Sequence, residues 1–276
     1  LSGDHIYKMD YNEMLEAHKK NGADCTIAVF NVPKEEASRF GIMNTDADGN
    51  IIALEEKPRN PQSTNASMGI YIFSYDKLKK YLSEDEKNKN SHNDFGKNII
   101  PAMLDDGQKL CAYKFSGYWK DVGTISSLWE ANMDLLDGNS GLNLGDPDWK
   151  IYARNPAEPP HFVDSGAVIK NSLVTEGCVI KGSVRNSVIS PGVKIGKGAV
   201  VEGSAIMHGP VIADGAEMRY SICGQNAVVG KNSRIGAPLT HPVDGEWEIA
   251  VVGPGAKVND GSVIDKKTVV YVEEAE

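Results

Sequence analysis

The chain has 276 residues, room for two domains of about 100–150 residues each. Apolar residues make up 41% and charged residues 24%, ordinary globular values that exclude a wholly disordered or membrane-embedded chain. The net charge is −9, from 38 acidic against 29 basic residues, and no long basic run offers a surface for nucleic-acid phosphates.

In chain order, Leu1 to Asp4 lacks an initiator Met and a basic-then-apolar leader. It reads as the end of a strand, so the chain is expected to begin inside a domain. Tyr11 to Asn21 reads as a helix, with Met14, Leu15 and His18 on one face and Gly22 as its stop. Ala23 to Val32 is a strand. Gly41 to Glu55 is a hairpin turning at Asp46-Ala47-Asp48-Gly49. Ser67 to Ser74 is a strand, Tyr75 to Leu82 a helix, and Ser83 to Asn90 a solvated loop. Asn93 to Leu104 is a helix that Pro101 would kink. Lys109 to Phe115 is a strand, and Thr124 caps a helix running to Leu136. Strands alternating with helices predict an α/β layer that binds ligands at strand ends.

Composition shifts near residue 160. Leu occurs 12 times in the first 159 residues but twice from 160 to 272, where Val and Ile together occur 30 times. That window also holds 16 of the 28 glycines, so it predicts short strands joined by tight turns. The border, residues 137–160, contains Asn155-Pro156 and Pro159-Pro160 and predicts an extended connector. Beyond it an aliphatic recurs every six residues. The runs are Val163 and Ile169; Val168, Val174 and Ile180; Ile189, Ile195 and Val201; Ile206, Ile212 and Met218; Val229 and Ile235. This is the pattern of a hexapeptide-repeat solenoid, in which stacked coils bury a continuous aliphatic core. The frame slips to 17 between Ile189 and Ile206, which predicts irregular corners.

Cys25, Cys111, Cys178 and Cys223 form no C-x-x-C pair, so they predict buried reduced thiols and a cytoplasmic setting. There is no G-x-S-x-G, no G-x-G-x-x-G opening a helix, and Gly224 to Lys231 misses the P-loop pattern by one residue. Four segments carry candidate chemistry. Gly3-Asp4 sets a carboxylate past an apolar strand, a common Mg²⁺ position. Glu56-Lys57-Pro58 fixes a cation beside a proline. Asn65 to Tyr71 opens a strand with small residues that admit a ligand to the backbone. Trp119-Lys120-Asp121 sets a second carboxylate and an aromatic before a helix start.

Together the segments LSGDHIYKMDY, FGIMNTDADGNIIALEEKP, ASMGIYIF, HNDFGKNIIPAML and GYWKDVGTISSLWEANMDLL resemble the sugar nucleotidyltransferases. The closest likeness is to those that activate glucose 1-phosphate with ATP. The resemblance covers nearly the whole chain and implies a Rossmann-like nucleotidyltransferase domain over 1–136, a linker over 137–160 and a left-handed parallel β-helix over 161–276. It implies that Asp4 and Asp121 hold Mg²⁺ against the nucleotide phosphates and that Lys57 binds the phosphate of glucose 1-phosphate. Glu56, Ser67, Asp94 and Trp119 would surround the glucose, with Gly41 and Phe95 lining the pocket. The family's Gly-rich triphosphate loop is expected upstream of residue 1. Without it the chain as written is expected to be inactive, its sheet short of its first strands and open at an apolar edge.

Two other readings keep the fold. A non-catalytic regulatory subunit of the same assembly would be expected to lose the metal carboxylates or the lysine, whereas Asp4, Lys57 and Asp121 are all present. A hexapeptide acyltransferase would need a catalytic histidine in the coils, for which His208 and His241 are the candidates. The flat faces and open ends of such a solenoid, with Ile249, Val251 and Val252 expected to leave apolar surface, predict a homo-oligomer, a tetramer by resemblance. The strand Thr268 to Val272 and the acidic tail Glu273 to Glu276 are expected to close it.

Overall fold

A computed structural model of the chain describes all residues except 154, 155, 240, 244 and 273–276. The chain forms two compact units, Leu1–Trp119 and Lys120–Glu276.

The first unit contains β1 (His5–Tyr7), α1 (Tyr11–Asn21), β2 (Cys25–Asn31), β3 (Gly41–Thr45), β4 (Ile51–Glu56), β5 (Asn65–Phe73), α2 (Tyr75–Asp85), α3 (Ile100–Asp105) and β6 (Leu110–Lys114). Both ends of α1 have local causes. The Asp10 side chain accepts from Asn12 N at the start of α1, and Gly22 ends it at φ 56°, in the left-handed region that favours glycine. The β3–β4 turn is tied by the Asp46 carboxylate, which accepts from the Asp48 and Asn50 backbone N–H groups.

The five strands order as β4-β3-β5-β2-β6, and only β2–β6 is parallel. The alternation of strands and helices is as expected, but the sheet is mixed, because β3 and β4 form a hairpin that needs no crossover helix. One face carries a core of Met14, Ala28, Ile42, Met68 and Trp119; the other carries Ile27, Met43, Ile100, Met103 and Leu110. Each fully buried aliphatic side chain contributes about 1.5–3 kcal/mol. The edge at β6 is not bare. The β3–β4 turn reaches it, with Ala112 N donating to Gly49 O at 3.0 Å, and Leu110 and Cys111 are buried.

Two local expectations need correction. The segment from Ser83 is helical through Asp85, because Tyr81 is buried and donates to Asp106, which anchors α2 farther along. Residues 95–105 run as one unbroken helical segment, as expected, but its irregularity is a π-helical first part rather than a kink at Pro101. Asp94 caps a π-type turn, Phe95–Ile99, and α3 follows with Pro101 in its first turn, where its missing N–H costs no hydrogen bond.

In the second unit, Thr124 and Ser127 form a reciprocal capping box on α4 (Ile125–Asp134). Among the described residues of 137–161 there is neither helix nor strand. The solenoid follows as three parallel sheets of six short strands each. Ile195 pairs with Ile212, and Ile212 with Val229, so the aliphatics stack coil on coil. Ile180, Val184, Ile189, Ile195, Val201, Ile206 and Ile212 line one continuous core. From Ile180 onward the six-residue runs are buried; in the first coil Val163 and Ile169 are 41% and 37% exposed, although they pair with buried Ile180 and Val184. Val168 points outward, 44% exposed, and its neighbour Ile169 takes the place paired with buried Val184.

The slip from 18 to 17 has a specific cause. At one corner of successive coils stand Asn171, Asn186, Gly203 and Tyr220, all with φ between 45° and 56°. A left-handed residue turns the chain one residue sooner. A serine follows each. Ser187 Oγ accepts from Ser204 N, and Ser204 Oγ from Ser221 N, at 3.1 and 3.2 Å, so a ladder of buried hydroxyls runs between coils. Glycine is required at 203, where a Cβ would lie 2.7 Å from the Tyr220 ring.

The expected apolar surface at Ile249, Val251 and Val252 is corrected. Ile249 is 3% exposed and packs with Trp129, Ala205 and Ile222 beneath α4, Val251 packs against the same cluster, and Val252 faces the coil core. The apolar groups that do face solvent include Phe162, Val211 and Val228, on equivalent positions of one sheet. Val269–Val270 is the last strand, and the expected acidic tail lies outside the described residues. All four cysteines are free and buried, and burial pushes the Cys223 thiol up to about 12. Among the described residues no helix is long and apolar enough to cross a membrane.

Candidate active site

β3 and β4 pair so that Gly41 lies directly opposite Glu56 at the end of the hairpin. A Cβ on Gly41 would sit 3.2 Å from Glu56 Oε2, so a larger residue there would have to displace the Glu56 carboxylate. Across the same space, a Cβ on Gly96 would lie 3.3 Å from Asp94 Oδ1 and 3.8 Å from Glu56 Oε2. The structure thus gathers Gly41, Glu56 and Asp94, three residues named from the sequence, and adds Gly96. Asp94 is fixed by its own turn, its Oδ1 accepting from Lys97 N at 2.8 Å.

β5 supplies the floor. By the two-residue strand period, Ser67, Gly69 and Tyr71 share a face. The Tyr71 ring stacks on Phe95 at 5.5 Å, with the planes 20° apart. Burial pushes the Tyr71 hydroxyl above its ordinary range against the Ser67 hydrogen bond, and the charges of Asp94 and Glu56 push it the same way. Tyr71 therefore joins Ser67, Glu56 and Asp94. The sequence reading missed it, although the alternation in ASMGIYIF placed it on the same face as Ser67.

Lys57 follows Glu56 with φ 46°, a strained value for a residue with a side chain. Its N–H donates to Phe40 O at 3.1 Å, which ties the lysine to the residue before Gly41. The Lys57 side chain is exposed. Two residues on, Arg59 lines a recess of about 240 Å³ with Lys34, Glu35, Ser38 and Asn60. Trp119 behaves differently from an open aromatic platform. It is 8% exposed, and its ring packs against Phe30 and Phe40 at 5.4 and 5.3 Å, forming a wall behind Phe40.

The Asp4 loop is the third part of the unit. Ser2 Oγ–H donates to Asp4 Oδ1 at 2.8 Å, and this hydrogen bond holds the exposed Asp4 carboxyl below the usual carboxylate range. β5 meets this loop where it departs from regular pairing. Ile27 pairs with Tyr71 but Val29 with Ser67, so β5 bulges between them, and Gly69 sits there at φ 64°. A Cβ on Gly69 would lie 3.2 Å from Ser2 Cβ. His5 Nδ1 is 2.8 Å from Met68 O, and its ring meets Trp119 edge-on at 5.5 Å.

Asp121 falls in the second unit, half-buried, its Oδ1 accepting from Gly123 N at 2.8 Å. Beside it, burial pulls Lys120 down, but Asp134 and Glu130 outweigh this and hold its ammonium above the ordinary range.

The chemistry follows from residue types. Carboxylates, a hydroxyl and a phenol gathered together suit the hydroxyls of a polyol, which donate to carboxylates. An exposed lysine next to Glu56 suits a phosphate. Asp4 offers an anionic oxygen ligand to a hard cation.

The family described as nucleotidyl transferase matches residues 1–138, and that described as the GMPPB C-terminal domain matches residues 158–274. The glucose-1-phosphate adenylyltransferase of Acetivibrio thermocellus is 50% identical over 275 residues, covering 98% of this chain and 65% of the relative. That of Clostridium perfringens strain 13 is 59% identical over 236 residues, covering 86% and 60%. That of Clostridium beijerinckii is 52% identical over 270 residues, covering 98% and 68%. The chain thus spans between 53% and 68% of the length of the curated relatives it matches. On its fold, its motifs and these matches, the chain belongs to the nucleotidyl transferase family, among the glucose-1-phosphate adenylyltransferases.

Proposed function

We propose that the whole protein transfers the adenylyl group of ATP to glucose 1-phosphate, giving ADP-glucose and pyrophosphate for glycogen synthesis. A phosphate oxygen of the sugar attacks the α-phosphorus of ATP, and the bond to the β-phosphate oxygen breaks as pyrophosphate leaves. The attacking group is already an anion, so no protein nucleophile is needed. The protein's task is to bring two anions together in line. Lys57 holds the sugar phosphate. Glu56, Asp94 and Ser67 orient the glucose hydroxyls on a floor of Tyr71 and Phe95, Gly41 leaves the room, and Trp119 backs the wall. The observation that carries this reading is the convergence of Gly41, Glu56 and Asp94 beside Tyr71 in a chain with these relatives.

Mg²⁺ fits the donor set, since Asp4 is an exposed, hydrogen-bonded carboxylate kept anionic by Ser2. Asp4, with Asp121 as the second carboxylate expected from the resemblance, would hold it. When bound, the ion offsets charge on the nucleotide phosphates. The same reading takes the coils as a left-handed β-helix, the functional borders as 1–136, 137–160 and 161–276, the assembly as a homotetramer and the setting as cytoplasmic. The exposed Phe162, Val211 and Val228 support association. The presence of Asp4, Lys57 and Asp121 disfavours a non-catalytic subunit.

The test is pyrophosphate release by the whole protein, with ATP and glucose 1-phosphate set against other nucleotides and other hexose 1-phosphates. The expected result is turnover at least about tenfold above every other pair. Equal turnover with another pair, or none with this one, overturns the assignment.

A further inference from the structure

The GDHIY segment contains a histidine that the proposed reaction does not use. His5 Nδ1 lies 2.8 Å from Met68 O, a contact that closes only if Nδ1 carries the proton. The Trp119 Nε1 is 3.3 Å from the same nitrogen, but two N–H groups cannot bond each other, so the shorter carbonyl contact sets the tautomer. In that tautomer Nε2 carries a lone pair. It points toward Asp4, whose Oδ1 is 3.8 Å away. Two electron-pair donors thus face one small space at the tip of the loop.

Metal-binding imidazoles show the same arrangement. One ring nitrogen donates to a carbonyl, which fixes the ring plane and the tautomer, while the other meets the ion. Two ligands of one ion, each about 2.1 Å from it, lie about 3–4 Å apart. The surroundings are equally fixed. Ser2 Oγ–H orients Asp4 through the same Oδ1 at 2.8 Å. Gly69, at φ 64°, lets β5 approach the loop, since a Cβ there would stand 3.2 Å from Ser2 Cβ. The loop is held to a strand 63 residues away in sequence by the carbonyl that sets the ring.

Building on the metal role proposed for Asp4, we propose that His5 Nε2 is a further ligand of that divalent cation and gives the site affinity for ions that accept nitrogen. Mg²⁺ prefers oxygen and keeps its waters, so it gains little from the imidazole. Co²⁺ accepts imidazole readily and gains more. Asp4 then serves both ions, and His5 separates them.

The test measures Co²⁺ binding to the whole protein by its visible absorption bands, and Mg²⁺ binding by calorimetry. His5→Asn is the informative change, because the asparagine amide can still donate to Met68 O while the Nε2 ligand is lost. The expected result is about a tenfold or greater loss of Co²⁺ affinity with Mg²⁺ affinity changed less than about twofold. In the parent protein, Co²⁺ should shift the ¹⁵N resonance of His5 Nε2 far more than that of Nδ1. Asp4→Asn should weaken both ions. Unchanged Co²⁺ affinity in His5→Asn, equal loss of both ions, or equal shifts of the two ring nitrogens overturns the assignment of His5. Unchanged affinity for both ions in Asp4→Asn overturns the metal reading on which it rests.

Discussion

In the solenoid each inward position is aliphatic and meets its own kind on the next coil, as Ile195 meets Ile212 and Ile212 meets Val229. In the first unit the residues that define the recess repeat nothing. Gly41, Glu56, Ser67, Asp94 and Tyr71 come from three strands and the cap of a π-type turn, each in different surroundings. Even backbone strain is used differently. The left-handed positions of the coils recur at Asn171, Asn186, Gly203 and Tyr220 and serve turning alone, whereas the one at Lys57 sits on the rim of the recess. Repetition yields stability by summing equal units. A recess for a sugar phosphate needs unlike groups at fixed places, and it draws its rigidity from the sheet beneath it.

This contrast breaks most visibly under substitutions that separate activity from stability. Asp4→Asn should lower turnover by about 100-fold or more, because a lost carboxylate ligand is worth several kcal/mol in the transition state. The exposed side chain leaves the melting temperature nearly unchanged. Near-normal turnover would remove Asp4 from the chemistry. Ile212→Ala is the converse. It empties a fully buried position between two coils and should cost about 2–5 kcal/mol by denaturant unfolding, with KM for both substrates unchanged. A larger KM effect than stability effect would mean that the coils shape the recess. Ser204→Ala is the mildest. It removes the hydroxyl that accepts from Ser221 N and donates to Glu202 O, and should cost about 1–3 kcal/mol by the same method. A neutral result would mean that the hydroxyl ladder adds nothing to the stacking.

The two regions also differ in how much of them can be read from sequence, for the same physical reason. The coil period is local, so the runs from Val163 to Ile235 are visible in any short window, and only the one-residue displacement at Val168 and Ile169 escapes it. The corner serines were equally local but lie outside the aliphatic pattern. Burial of Ile249 and Val251 was not legible, because nothing near them in the chain announces that Trp129 of α4 covers that sheet. In the first unit the motif residues Glu56, Ser67 and Asp94 were recognisable by type. His5 was not, since its place arises from a contact between residues 5 and 68, whereas Tyr71 was marked by the alternation that puts it on the face of Ser67. The mixed sheet was hidden similarly, as the β3–β4 hairpin is local but its antiparallel partner β5 is not.

The central claim is that the recess behind Gly41 holds glucose 1-phosphate with its phosphate on Lys57. Steady-state kinetics of Lys57→Ala in the whole protein test it most directly. A charge-assisted contact worth about 1.5–3 kcal/mol should raise KM for glucose 1-phosphate about 10- to 100-fold, with kcat and KM for ATP within about threefold of the parent. An equal rise in both KM values, or no rise in either, would contradict the placement of the sugar phosphate at Lys57.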